Sequence, residues 1–247
     1  MADDTGITQY FGVNLAELLS NKILGVYKEF NKVEYITAIR ENCDNLSYTK
    51  RIELHADQLN NYLPKDFKQA AKILVSILGE ENKNETGMFK EYYWIMPIGK
   101  YIEKYGLDYY EESMSAIEEI TKRNTGEYAI RPFIRKYPEK SLQRMTIWAK
   151  SENFHLRRLS SEGLRPKLPW ATKLETFNEN PEPVFKILEI LKEDEVLFVK
   201  KSVANHLTDW LKVKKEPTVR LINRWSESKN KNTNWIIKRA TRKINID

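Results

Sequence analysis

Apolar residues recur three and four positions apart along nearly the whole chain, and little else in it suggests regular structure. Leu15, Leu18, Leu19 and Ile23 form one such stripe, and Ala70, Ile73, Leu74, Ile77 and Leu78 form another. Glycine is scarce, at nine in 247 residues, and no alternating Val/Ile/Thr-rich run is bounded by hairpin turns. The spacing predicts an all-α fold. Further helices are expected over 48–62, 88–104, 108–123, 126–136, 140–150, 153–163, 182–192, 195–211, 216–228 and 232–244. Breaks are expected at Pro64, in the polar loop 79–87, at Pro138 and over 178–183.

A chain of this length with 41% hydrophobic residues can bury a sizeable core, and one all-helical domain over 1–247 is expected. The single cysteine, Cys43, excludes an internal disulfide and a cysteine-based zinc site, and it suits a reducing cytoplasm. No run approaches 18 apolar residues, and the first ten residues carry neither a basic nor an apolar signal region, so no membrane contact is expected. His55, His155 and His206 form no pair at metal-ligand spacing, and no phosphate-binding loop or nucleophile elbow is present. Neither a metal nor a cofactor is expected, and the chain is taken to act as a monomer.

Charge is distributed unevenly. Residues 1–120 hold 13 Lys and Arg against 20 Asp and Glu, a net of −7. Residues 121–247 hold 28 against 15, a net of +13. A basic second half points to a polyanionic partner, most simply double-stranded DNA. Within that half a basic doublet recurs. Leu156-Arg157-Arg158-Leu159 returns 43 residues later as Val199-Lys200-Lys201-Ser202, and 38 further on as Ile237-Lys238-Arg239-Ala240. Paired helices with a period near 40 are the signature of HEAT-like repeats, which stack into an α-solenoid. Doublets near the start of each second helix would line a concave basic groove and neutralise phosphates there.

Helix spacing then suggests chemistry on that groove. Lys201, Asn205 and Asp209 lie four apart on one face, while Val196, Val199, Val203 and Leu207 face the core. In the preceding repeat Arg158 corresponds to Lys201 and Glu162 to Asn205. The block ends in a strap, 164–181, that carries Pro166 and Pro169 and holds Trp170. That is too long for a routine connection in a compact stack. A solvated ion pair is the bland reading of Arg158 and Glu162, and a core plug is the bland reading of Trp170. Trp94, Trp148, Trp225 and Trp235 are expected in the core. Lys212, Lys214 and Lys215 read as a solvated helix end. His206, three residues before Asp209, leaves a His/Asp dyad as a minor alternative.

The segments RRLSSEGLRPKLPWA (157–171), NHLTDW (205–210), NWIIKRATRK (234–243) and GEYAIRPFIRKYP (126–138) resemble the AlkC branch of the bacterial DNA alkylation-repair glycosylases. These are HEAT-like-repeat enzymes related to AlkD, and the resemblance extends to 51–79 and 92–107. It implies removal of N3-methylated bases, N3-methyladenine and N3-methylcytosine, as a monofunctional glycosylase of base excision repair. It also implies that Arg158, Glu162 and Trp170 belong to the active-site cleft, that Asp209 is the catalytic carboxylate and that Glu127 is a further acid of the pocket. Backbone contacts are expected from Arg157, Arg165, Lys167, Lys200, Lys201, Lys238, Arg239 and Arg242. Lys167 stands where arginine is commoner in the motif, which weakens the case for a bidentate contact there. Some relatives carry an immunoglobulin-like domain after the repeats, and none is expected here.

The implied activity agrees with the residue types. A base alkylated at N3 is already cationic, so its departure needs stabilisation of an oxocarbenium-like sugar and a positioned water rather than a strong acid. Asp209 is expected to supply that charge with Glu162 assisting. Trp170 would offer its π face, worth about 0.5–2 kcal/mol, and Arg158 would orient Glu162 or hold a phosphate. A HEAT-like module that binds DNA or a protein without catalysis is the alternative.

Overall fold

The computed structural model describes residues 6–87 and 89–244. All regular structure among them is helical. Two compact units are present, 6–83 with 87–129 and 84–86 with 130–244.

The first unit contains α1 (Val13–Val26), α2 (Lys32–Asn42), α3 (Tyr48–Tyr62), α4 (Phe67–Ser76), the single turn α5 (Phe89–Tyr92), α6 (Met96–Tyr105) and α7 (Tyr110–Thr121). Its core takes Leu15, Leu19 and Ile23 from α1 and Ala70 and Leu74 from α4, the residues of the two sequence stripes. A buried hydrogen bond of 2.8 Å joins Tyr35 Oη to His55 Nδ1, and burial pushes the His55 pKa down to about 4, so the ring stays neutral. The expected helix over 88–104 starts at Met88, outside the described residues. From 89 onward it is divided by a 3-10 turn, Tyr93–Ile95, because Pro97 fits the first turn of α6 and not a helix interior.

The second unit contains α8 (Arg131–Lys136), α9 (Pro138–Trp148), α10 (Phe154–Glu162), α11 (Glu182–Leu191), α12 (Leu197–Val213), α13 (Lys215–Ser226) and α14 (Lys231–Thr241). The pairs α9/α10, α11/α12 and α13/α14 succeed one another. The second helices form one row, with α12 packed against α10 on one side and α14 on the other. Asparagine caps two members of that row. Asn153 Oδ1 accepts the His155 N–H at 2.9 Å, and Asn230 Oδ1 accepts the N–H groups of Asn232 and Thr233. Each such cap is worth about 1 kcal/mol. Gly163 closes α10 where space is short. A Cβ there would lie 2.9 Å from Ile130 Cγ2 and 3.0 Å from Met145 Cε, so a side chain would push the end of α10 off α8 and α9.

The helix expected over 126–136 begins only at Arg131, since Gly126 fits in the turn against Ile117 and Thr121. The third basic doublet also departs from expectation. Arg157-Arg158 and Lys200-Lys201 each follow the start of their helix by three residues, but Lys238-Arg239 lies in the last turn of α14. That position suits lysine and arginine on its own terms, because cations are favoured at the negative end of the helix dipole.

Candidate active site

Glu162 ends α10 and Asp209 occupies the last turns of α12, so the packing of these two helices brings the carboxylates together across 47 residues of chain. Both are buried, at 6% and 8% exposure. Arg165, just after α10, joins them. Its Nε donates to Asp209 Oδ2 at 2.7 Å and its Nη1 to Glu162 Oε1 at 2.6 Å. The Ser202 hydroxyl donates to Glu162 Oε2 at 2.5 Å, and its oxygen lies 3.0 Å from Ser161 Oγ, which in turn lies 3.4 Å from His206 Nδ1. Arg158 stands farther off, 3.8 Å from Glu162 Oε1, with its guanidinium 4.6 Å from the centre of the Phe198 ring.

The two acids are therefore not equivalent. Both oxygens of Glu162 are engaged. Burial would raise its pKa, but the charges of Arg158 and Arg165 and the Ser202 hydroxyl outweigh that cost and hold it below the usual range. Asp209 has one engaged oxygen. Its Oδ1 accepts no hydrogen bond among the described residues and is not sealed from solvent. Burial raises the Asp209 pKa, aided by the nearby Glu162 charge and only partly offset by Arg165.

His206 does not join Asp209 in a dyad. Its ring faces Ser161 and lies nearly parallel to Trp210, and burial, with the Arg165 charge, drives its pKa well below the ordinary value. A neutral, enclosed imidazole of this kind is a poor proton donor at neutral pH.

Arg165, expected at the DNA backbone, is instead 8% exposed and committed to the two carboxylates. Arg157 is turned inward too. Its Nε donates to Asp194 Oδ2 at 2.6 Å and its Nη1 to the carbonyls of Ser151 and Glu152. In both cases a carboxylate of the next helix pair competes for the guanidinium, a partner that sequence spacing does not reveal. Lys200 donates to Asn232 Oδ1 at 3.0 Å, and Lys200 and Arg239 each lie 5.5 Å from the Trp235 ring centre. Trp94, Trp148 and Trp225 are core residues as expected, whereas Trp235 is half-buried between these cations. Lys167, Lys201, Lys238 and Arg242 are exposed and form no ion pair among the described residues.

Arg131 was not among the expected site residues. Only 2% exposed, it donates to the carbonyls of Gly163 at 3.3 Å, Arg165 at 2.9 Å and Thr172 at 2.7 Å, and so fixes both ends of the strap segment that carries Trp170. The motif IRPF in which it stands was the available signal. Trp170 is not a core plug. It is 81% exposed, and it adopts a positive φ of 65° rare for a bulky residue. Glu127 is a buried member of the first unit and accepts from Thr125 Oγ1 at 2.9 Å. Among the described residues no cluster of three or more His, Cys, Asp or Glu has metal-site geometry, and no helix is long and apolar enough to cross a membrane.

A model of the DNA alkylation repair enzymes matches residues 99–244, more than half of the chain and all of the ion network above. The chain belongs to the DNA alkylation repair enzyme family. It is 34% identical over 245 residues to the uncharacterized protein YhaZ of Bacillus subtilis, covering 99% of this chain and 65% of that one. It is also similar to the alkylpurine DNA glycosylase AlkC of Pseudomonas fluorescens, solved bound to DNA containing an abasic site analog. There the TM-score is 0.85 at 30% identity, over 95% of this chain and 63% of that one. The chain thus spans slightly less than two thirds of the length of both relatives. The all-helical, HEAT-like fold expected from the repeat period is the fold of this family member.

Proposed function

We propose that the protein is a DNA glycosylase that hydrolyses the N-glycosidic bond of cationic alkylated bases in duplex DNA. The observation that carries this reading is the unequal pair of carboxylates. Glu162 is held on both oxygens, while Asp209 offers an open Oδ1. An ionised carboxylate oxygen at the edge of a buried network favours a positive ligand, and the family likeness makes the sugar of an alkylated nucleotide the natural one. In the reaction the C1′–N bond breaks and its electron pair leaves with the base, which arrives cationic and departs neutral. Water adds to C1′ and gives up its proton to bulk water. Asp209 stabilises the positive charge developing on the sugar and orients the water. Glu162, Arg158 and Ser202 maintain the surrounding field. Trp170 completes the site on the family pattern, offering an aromatic face from its strap.

The test is release of free bases from matched duplexes, followed by chromatography. N3-methyladenine and N3-methylcytosine are expected to be released. Uracil and hypoxanthine are not, because each must gain a proton to leave and no suitable acid stands beside Asp209 among the described residues. Efficient uracil excision would overturn the charge argument. Binding without release of any base would leave a non-catalytic DNA-binding module.

Backbone contacts are assigned to the exposed cations, Lys167, Lys201, Lys238 and Arg242, with Lys200 and Arg239 held beside Trp235. Lys201→Ala is expected to weaken duplex binding and to lower the log–log salt slope by about one. Arg157→Ala should leave the slope unchanged, since its charge is committed to Asp194. Equal slopes for Lys201→Ala and wild type in a fluorescence titration would remove Lys201 from the interface.

A further inference from the structure

Glu162 and Asp209 sit on neighbouring helices with their side chains about nine-tenths enclosed, and two like charges so placed must be countered or one must take up a proton. The charged groups that face Asp209 are Arg165, Glu162 and Lys212; those that face Glu162 are Arg158 and Arg165. Among the described residues Arg165 alone appears in both sets, and it alone donates hydrogen bonds to both acids. It does so with two donors of one rigid plane, Nε and Nη1, which sets the spacing of the acceptor oxygens. Its own place is set by the backbone. The Arg165 N–H donates to the Glu162 carbonyl at 3.3 Å, its carbonyl accepts from Arg131, and Pro166 follows directly.

We propose that Arg165 is the positioning residue of this site, the fixed counter-cation that keeps Asp209 ionised, turns its Oδ1 toward the ligand and holds Glu162 out of the reaction. The inference rests on the glycosylase reading above for its catalytic consequence, but the coupling of the two acids stands apart from it. A guanidinium bonded to Oδ2 leaves Oδ1 as the oxygen that meets a developing cation. Without it, Glu162 and Asp209 share a proton, and the carboxylate charge is lost from the site at a pH where the wild type still carries it. Lysine at 165 restores a charge but not the plane. One ammonium cannot hold the two acceptor directions that the fork holds.

The experiment compares wild type, Arg165→Ala and Arg165→Lys in two measurements: single-turnover release of N3-methyladenine across pH, and titration of the Asp209 carboxyl by carbon NMR, assigned with Asp209→Asn. In the wild type, release falls on the acid side as Asp209 gains its proton. Arg165→Ala is expected to lose about 100-fold in rate at neutral pH, to move the acid limb and the Asp209 titration to higher pH, and to recover part of the rate when guanidinium ion is added below denaturing concentration. Arg165→Lys should lie between the two in both readouts. An unchanged acid limb and unchanged Asp209 titration, with rate lost uniformly and no rescue, would reduce Arg165 to a structural role and overturn the proposal. If Arg165→Ala does not fold, Arg165→Lys decides on the same criterion. If the wild type releases no base, the glycosylase reading fails, and the NMR titration still decides whether Arg165 governs Asp209.

Discussion

Asp209→Asn is expected to slow release of N3-methyladenine by about 100- to 1000-fold under single-turnover conditions, while affinity for undamaged duplex stays the same or rises. Asparagine preserves the shape of the side chain and its amide oxygen can still accept from Arg165 Nε, so the geometry between α10 and α12 should survive. What disappears is the charge on the oxygen that faces the ligand. A sugar turning oxocarbenium-like then meets a neutral amide, and the preorganised field that favoured it is gone. Ground-state affinity is governed instead by cations meeting phosphates, and removing a carboxylate near them weakens a repulsion. Rapid-quench measurement of base release, with anisotropy for affinity, separates the two effects. Wild-type release by this variant would take Asp209 out of the mechanism.

Arg131→Ala is expected to cost about 3 kcal/mol or more of stability, and to impair base release in whatever fraction remains folded. The guanidinium is almost fully enclosed and donates to the carbonyls of Gly163, Arg165 and Thr172. Truncation leaves the buried Gly163 and Arg165 carbonyls without a donor and opens a cavity, while the exposed Thr172 carbonyl keeps Arg135 Nη2 at 3.4 Å, and each unsatisfied group is costly away from water. It also frees the backbone of Arg165 and the strap that holds Trp170 at positive φ. Arg135→Ala is the control. That arginine bonds Thr172 and Lys173 from an exposed position, so its loss should stay below about 1 kcal/mol. Urea denaturation of the three proteins measures the difference. A midpoint for Arg131→Ala within error of the wild type would mean that the strap is held by other contacts.

Legibility differed sharply between helices and site. Where leucine and isoleucine recur every three or four residues, as in α1, α3 and α4, periodicity places the helix and its core face together. The helix α2 is harder to read because three of its apolar residues, Val33, Ile36 and Ile39, are β-branched and weaker helix formers, and Val33 points into solvent. Its helical state is imposed by packing against α1 and α3. The acids Glu162 and Asp209 could be picked out because each falls at helical spacing from a basic residue on a surface-facing row. Their separate states could not, since these depend on which oxygen each partner reaches.

The arginines show where the boundary falls. Chain order alone determined that the protein is helical, that its second half is basic, that its helices come in pairs with a period near 40, and that carboxylates stand among the cations. These follow from residue type and spacing, which act locally and survive any packing. The direction in which each arginine points was decided by the tertiary structure alone. Arg157 and Arg158 are adjacent, yet one is spent on Asp194 and the other stands over Phe198 beside Glu162. Arg165 lies in the same basic block as Lys167, yet one bridges two buried acids and the other faces water. A guanidinium goes to a carboxylate that packing shields from solvent, and for Arg157 and Arg165 this includes an acid 37 or 44 residues away, brought into reach only when the repeats stack.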